Sequence, residues 1–207
     1  MKILMMGPQG SGKGTTGEML SVHMRIPLIS IGNLLREMSS EHPRYEEVQR
    51  IMREGNLVPQ DFISQLLNER VSRSDCTNGF IMDGWGRTMY DLQMFDPGFD
   101  KVLYLNISPE TSVRRISNRR ICSKCGRVYN IITVPPKESG ICDICGGELI
   151  QREDDTEGAV RKRLDIYYTE TQEVINFFKD KGVLLEIDAE GSPKLVFENV
   201  LAALALK

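Results

Sequence analysis

The sequence predicts an α/β protein built on a parallel sheet with helices on both faces, and three observations carry that prediction. Short apolar runs at 3–6, 28–29, 80–82, 102–107 and 183–187 alternate with longer stretches of helical period. A glycine-rich turn follows the first run directly and opens a helical stretch. The residues just after three of the runs, Gly7 to Thr15, Ser30 to Arg36 and Asp83 to Thr88, are rich in Gly, Asp, Arg or hydroxyl side chains. In parallel sheets ligands gather at the carboxyl ends of strands, so these turns are the first candidates for a site.

Taken in order, the first run ends at Gly7-Pro8, where the chain must turn. The clearest helix follows Asp154-Asp155-Thr156, with Val160, Leu164, Tyr168, Ile175 and Phe178 on or near one stripe, and it stops before Gly182. Those apolar and aromatic residues are expected in the core. Two segments break the alternation: about 30–60, helical and polar, and about 120–157, which holds two Cys-x-x-Cys pairs and a Pro135-Pro136 step. Both read as insertions on the sheet. The only internal repeat is the doubled Cys-x-x-Cys-Gly.

The composition is that of an ordinary globular protein: 207 residues, 41% hydrophobic and 27% charged, with 26 basic against 29 acidic side chains and a net charge of -3. Bulk charge therefore predicts no nucleic-acid partner, and any phosphate binding must come from a local cluster. No apolar run approaches the roughly 18 to 20 residues of a membrane span, and the N-terminal stretch is too short for a secretory signal, so a cytosolic protein is expected. In a reducing compartment the clustered cysteines read as metal ligands rather than disulfides. Cys76 stands alone and receives no role.

Gly7-Pro8-Gln9-Gly10-Ser11-Gly12-Lys13-Gly14-Thr15 has the form of a P-loop. Glycines let successive amides converge on phosphate oxygens, the helix N-terminus adds a favourable dipole, and Lys13 neutralises the β and γ phosphates. The hydroxyl expected right after the lysine is replaced by Gly14, with Thr15 next.

Cys122-Ser123-Lys124-Cys125 and Cys142-Asp143-Ile144-Cys145 are each followed by glycine, Gly126 or Gly146. Each is a knuckle that points two thiolates at one ion, and two knuckles complete a tetrahedral four-cysteine site. Four protein ligands leave no open position, so the metal expected is structural Zn²⁺. The stretch between the pairs carries only Arg127 and Lys137 as basic residues, which argues against a nucleic-acid-binding ribbon.

The Gly-Lys-Gly-Thr form of the loop resembles that of the adenylate kinase family of nucleoside monophosphate kinases. The likeness runs along nearly the whole chain through Gly79-Phe80-Ile81-Met82-Asp83-Gly84 with Arg87 and Thr88, Ile29-Ser30-Ile31-Gly32-Asn33 with Arg36, and the arginine-rich 114–120 stretch. Arg152-Glu153-Asp154-Asp155 and Val160-Arg161-Lys162-Arg163-Leu164 complete it. The resemblance implies a five-stranded P-loop core (1–29, 60–119 and 158–207), a small helical monophosphate-binding insertion (30–59) and a zinc-bearing lid of bacterial type (120–157). It implies a monomer that uses Mg²⁺ with ATP to phosphorylate a nucleoside monophosphate, AMP above all.

On the same grounds Gly10, Ser11, Gly12, Lys13, Gly14 and Thr15 hold the donor phosphates, and Arg115 lies against the donor base. Ser30, Ile31, Leu57, Val58, Gly84 and Asp91 line the acceptor, with Arg36 and Arg87 on its phosphate. Arg119, Arg152 and Arg163 clamp the moving phosphoryl group, and Asp83 holds Mg²⁺ through water. Asp154 and Asp155 are divided between capping the next helix and joining the lid contacts.

Five positions depart from the family pattern: Gln9, Ile31, Asn33, Trp85-Gly86 and Asp91, where the family shows Pro, Thr, Asp, Phe-Pro and Gln. Gly86 is expected to loosen the turn that sets Arg87. The family glutamine reads the adenine edge, whereas the Asp91 carboxylate offers acceptors only and suits guanine better. Gln93 could approach from nearby. GMP or a pyrimidine monophosphate as acceptor, and a nucleotide-binding paralogue with weak or no catalysis, are the alternatives.

Overall fold

The computed structural model describes residues 1–53, 58–152, 155 and 157–206. In chain order the elements are β1 (Lys2–Met6), α1 (Lys13–Met24), β2 (Leu28–Ser30), α2 (Ile31–Arg36), α3 (Tyr45–Arg53) and α4 (Gln60–Val71). After a short 3₁₀ turn come β3 (Phe80–Asp83), α5 (Met89–Met94), β4 (Lys101–Asn106), α6 (Pro109–Ser117), β5 (Arg119–Cys122), β6 (Val128–Asn130) and β7 (Leu149–Ile150). The chain ends in α7 (Glu157–Asp180), β8 (Leu184–Asp188) and α8 (Pro193–Ala203).

Five strands form one sheet in the order β2-β3-β1-β4-β8, and every pairing in it is parallel. All five expected apolar runs are strands, with ends shifted by one residue at most. Alternation along β1 shows why both faces must be covered. Leu4 and Met6 join Met82, Val102 and Tyr104 in one core, covered by residues of α2, α3, α4, α5 and α7. Ile3 and Met5 join Ile81, Leu103 and Leu105 in the other, covered by α1 and α8. A strand buried on both sides reads as a continuous apolar run, which is how these appear in the sequence.

Helix starts are set locally. Ser108 and Ser192 each accept a hydrogen bond from the amide three residues on, with Pro109 and Pro193 at the first helical position. The long helix α7 stops before Gly182 as expected, and Val160, Leu164, Ile175 and Phe178 are buried. Tyr168 is not: it is exposed, and Thr171 and Val174 carry the buried stripe instead. Over this length a 3.6-residue period drifts around the helix, which brings the adjacent Tyr167 toward the core in its place.

The described residues of 120–152 hold strands and turns. These strands form a separate antiparallel sheet in the order β6-β5-β7. Its buried cluster is small, Cys122, Tyr129, Cys142 and Leu149, so little apolar surface supports it.

Leu103 lies in β4, completely buried in the core beneath α1 and α8. Leu103→Ala should lower unfolding free energy by about 3 kcal/mol, read as a shifted midpoint in urea.

Candidate active site

β1 sits between β3 and β4, so the turns after β1 and β3 open side by side at the carboxyl edge of the sheet. Gly7 turns the chain there with φ of +145°, and a Cβ on it would lie 2.4 Å from the Leu105 carbonyl oxygen. Only glycine lets the loop pass that close to β4. Gly10, Ser11 and Gly12 follow, Ser11 fully buried, and Gly12 caps α1, whose first residues are Lys13, Gly14 and Thr15.

Lys13 folds back over the loop. Its Nζ donates to the carbonyls of Gly7 at 2.7 Å and Pro8 at 2.9 Å. Burial, opposed by the Asp83 charge and assisted by those of Arg87 and Arg119, lowers its pKa to about 8. Asp83 ends β3, and burial raises its pKa against the pull of Lys13 and Arg87. The structure thus brings Lys13, Asp83, Arg87 and Arg119 into one electrostatic neighbourhood.

Arg119, at the start of β5, forks onto Asp155, Nε to Oδ2 at 2.8 Å and Nη2 to Oδ1 at 2.5 Å. Asp155 is only 1% exposed, so its carboxylate depends on that guanidinium for compensation. Its amide also donates to the Arg152 carbonyl. Arg115, one turn earlier on α6, is held entirely by main chain: Nη1 reaches Gly10 O at 3.2 Å, and Nη2 reaches Glu190 O and Gly191 O at 2.8 and 2.9 Å. Ser112 of the same helix bonds the Gln9 carbonyl. Helix α6 therefore braces the phosphate loop from behind.

On the opposite flank, Ser30 pairs in register with Asp83, and Ile31 opens α2 with its side chain buried. A Cβ on Gly84 would face the Cβ of Ile31 at 3.8 Å. Arg36 ends α2, and its Nη2 donates to the Asn33 side-chain oxygen Oδ1 at 2.5 Å. Val58 is buried in the same core. Leu57, Asp154 and Thr156 and the side chain of Arg163 lie outside the described residues.

One expectation at the β3 turn is corrected. Gly86 does not loosen it: the residue is buried at φ +68°, where proline cannot go, and packs against Leu92 and Leu4. Trp85 is anchored in the core by donating to the Phe95 carbonyl at 2.8 Å. Asp91 is placed beside Arg87, yet its Oδ2 accepts the amides of Arg87 at 2.8 Å and Thr88 at 3.1 Å, so this oxygen is engaged by main chain.

The four cysteine sulfurs lie within 4.8 Å of one another. Ligands at the Zn–S length of about 2.3 Å would be about 3.8 Å apart in a tetrahedron, so this donor set fits that ion. The two knuckles match: Gly126 N donates to Cys122 O and Gly146 N to Cys142 O, both at 3.0 Å. Tyr129 went unnoticed in the sequence. Its hydroxyl lies 3.4 Å from the Cys142 sulfur, draws that thiol's pKa down to about 6 and accepts the Asp143 amide. Asn130 was also missed; its side chain ties this sheet to the Arg115 carbonyl at 3.1 Å. A lone buried aromatic and an asparagine in a polar stretch carry no pattern that spacing could reveal.

A glycine turn, a lysine and a carboxylate facing each other across adjacent parallel strands define a phosphate-loop protein that receives a polyphosphate. The family model described as "Adenylate kinase" matches residues 5–183. Proteins named adenylate kinase are similar over almost the full length: 41% identical in Thermosipho africanus, covering 97% of this chain and 98% of that protein. That of Caldicellulosiruptor bescii is 38% identical over 100% of both, and that of Clostridium tetani 37% identical over 97% and 96%. The chain belongs to the adenylate kinase family.

Lys13 holds less proton in the folded chain than an ordinary lysine, whose pKa is 10.5. Between about 8 and 10.5 the unfolded chain binds more proton, so this one contribution to stability rises with pH. A bound triphosphate favours the charged form and pulls the pKa back up. Calorimetry near pH 8 in buffers of different ionisation enthalpy should therefore show proton uptake on ATP binding, with affinity falling as pH rises further. Lys13→Met should abolish the uptake.

Proposed function

We propose that the chain catalyses reversible, Mg²⁺-dependent transfer of the ATP γ-phosphoryl group to AMP, giving two ADP. The observation that carries this reading is the convergence of Lys13, Asp83, Arg87 and Arg119 at the carboxyl edge of β1 and β3. Positive charge held in a protein cleft is what a transferring phosphoryl group requires.

In this reading the loop amides of Gly10 to Thr15 and Lys13 bind the donor phosphates, with Arg115 along the donor base. Arg36 and Arg87 hold the acceptor phosphate, and Ser30, Ile31, Leu57, Val58 and Gly84 surround its nucleoside. Arg119, Arg152 and Arg163 neutralise charge on the group in flight. The acceptor oxygen attacks in line, and alignment supplies most of the catalysis without a dedicated general base. When bound, Mg²⁺ would draw charge from the phosphate oxygens, and Asp83 is the carboxylate that would hold its waters.

The segments 30–59 and 120–157 close over acceptor and donor, excluding water that would otherwise take the phosphoryl group. Cys122, Cys125, Cys142 and Cys145 hold structural Zn²⁺. The reading is of a cytoplasmic monomer with small-molecule partners only, supported by the family and by the scarcity of basic residues between the cysteine pairs.

³¹P NMR with Mg-ATP and AMP, GMP, CMP or UMP should show AMP consumed and two ADP formed. Lys13→Ala should cut the rate by about 10²- to 10³-fold. Faster phosphorylation of GMP would transfer the reading to that acceptor, and nucleotide binding without turnover would support a non-catalytic paralogue. Metal analysis should find about one equivalent of zinc, and chelation should unfold the cysteine-bearing sheet while leaving the parallel sheet intact. A metal-free protein with that sheet folded would overturn the zinc assignment.

A further inference from the structure

Arg87 stands exposed on the turn between β3 and α5, and the direction of its side chain depends on how that turn is held. Three sets of contacts hold it, each involving α5 or its end. Trp85 Nε1 donates to Phe95 O at 2.8 Å, with the two rings edge to face at 6.2 Å. Gly86, at φ +68°, leaves room for Leu92 and Leu4, whose methyls would lie 3.3 and 3.4 Å from a Cβ there. Asp91 Oδ2 accepts the amides of Arg87 and Thr88 at 2.8 and 3.1 Å, and Thr88 Oγ1 accepts the Asp91 amide at 3.2 Å.

The last pair is a capping box, and it begins α5. It has a second effect. A carboxylate that accepts two successive amides fixes the peptide planes on either side of Arg87, and with them the direction in which its Cα–Cβ bond leaves the chain. Asp91 is itself only 4% exposed, so a charge so placed requires those donors as much as the turn requires it.

We propose that Asp91 is a positioning residue for Arg87: its carboxylate, bound to the amides of Arg87 and Thr88, aims the guanidinium at the acceptor phosphate. This rests on the reading of Arg87 as a ligand of that phosphate. The consequence separates it from a base-reading role. The phosphate is common to every monophosphate, so loss of Asp91 weakens all of them by one factor, whereas loss of a base contact changes their ratio.

The test is steady-state kinetics of the full chain at saturating Mg-ATP, with AMP, GMP and CMP varied, for wild type, Asp91→Ala and Asp91→Asn. Asp91→Ala should raise the monophosphate KM by about tenfold, the size of one lost charge-assisted hydrogen bond, with the KM for ATP within about twofold of wild type. The factor should be equal for all acceptors. Asp91→Asn keeps an acceptor oxygen in a side chain of the same shape and should recover most of the loss, which also guards against misfolding of the alanine variant.

A lowered melting temperature with an unchanged monophosphate KM would reduce Asp91 to a helix cap and overturn the proposal. A shifted AMP to GMP ratio would overturn it in favour of edge reading. Wild-type protein silent toward all acceptors would overturn the activity reading alone. The calorimetric AMP affinity of Asp91→Ala against wild type would then decide the positioning role, with the same tenfold loss supporting it and equal affinities sinking it.

Discussion

Concentrating positive charge around a buried lysine at one edge of the sheet is the constraint on which the rest of this structure depends. Lys13 and the nearby Arg87 and Arg119 repel one another, and burial lowers the Lys13 pKa to about 8. Left to solvent such groups would spread apart. They are retained by acceptors built into the fold: the Gly7 and Pro8 carbonyls under Lys13, the Asp83 carboxylate opposite it, and Asp155 beneath Arg119. A polyphosphate supplies the charge that these acceptors only partly provide, so the energetic cost of preparing the site is recovered as binding.

The parallel sheet makes that convergence possible. Because β1 lies between β3 and β4, the phosphate loop, the Asp83 turn and the start of α6 emerge at one edge. Both faces of the sheet are packed, one by α1 and α8 and the other by five helices, so this edge is held by two cores. The antiparallel sheet has no such support. The four residues of its hydrophobic cluster include two of the four clustered cysteines, and its strand β5 begins with Arg119. The Asn130 bond to the Arg115 carbonyl and the Arg119 fork on Asp155 attach it to the core, so order at the cysteine cluster bears directly on where an arginine of the site stands.

The turn after β3 illustrates how a local departure can be absorbed. Proline, with φ near −65°, would set such a turn through its ring. Gly86 adopts φ of +68° instead, and the lost stiffness is replaced by a buried indole, two leucine contacts and a carboxylate on two amides. Stiffness has moved from one covalent ring into several noncovalent contacts.

Much of this was legible in one dimension because period and spacing are local properties. Five apolar runs announced five strands, and the central three, β3, β1 and β4, read as near-continuous runs because a strand covered on both faces has no polar side to interrupt it. Gly7 to Thr15 announced the phosphate loop, and the doubled Cys-x-x-Cys-Gly announced four converging sulfurs, which the structure gathers within 4.8 Å. Long-range partnership was not legible. Asp155 meets Arg119 across 36 residues, Asn130 meets Arg115 through a main-chain oxygen, and the Tyr129 hydroxyl finds a sulfur that spacing alone never singles out. Asp91 is the clearest case: its residue type suggested a base contact, and nothing local announced that the fold would also bring two amides to its Oδ2. Residue types state what a side chain can bond. Which partner it takes depends on what the packed chain leaves unsatisfied beside it.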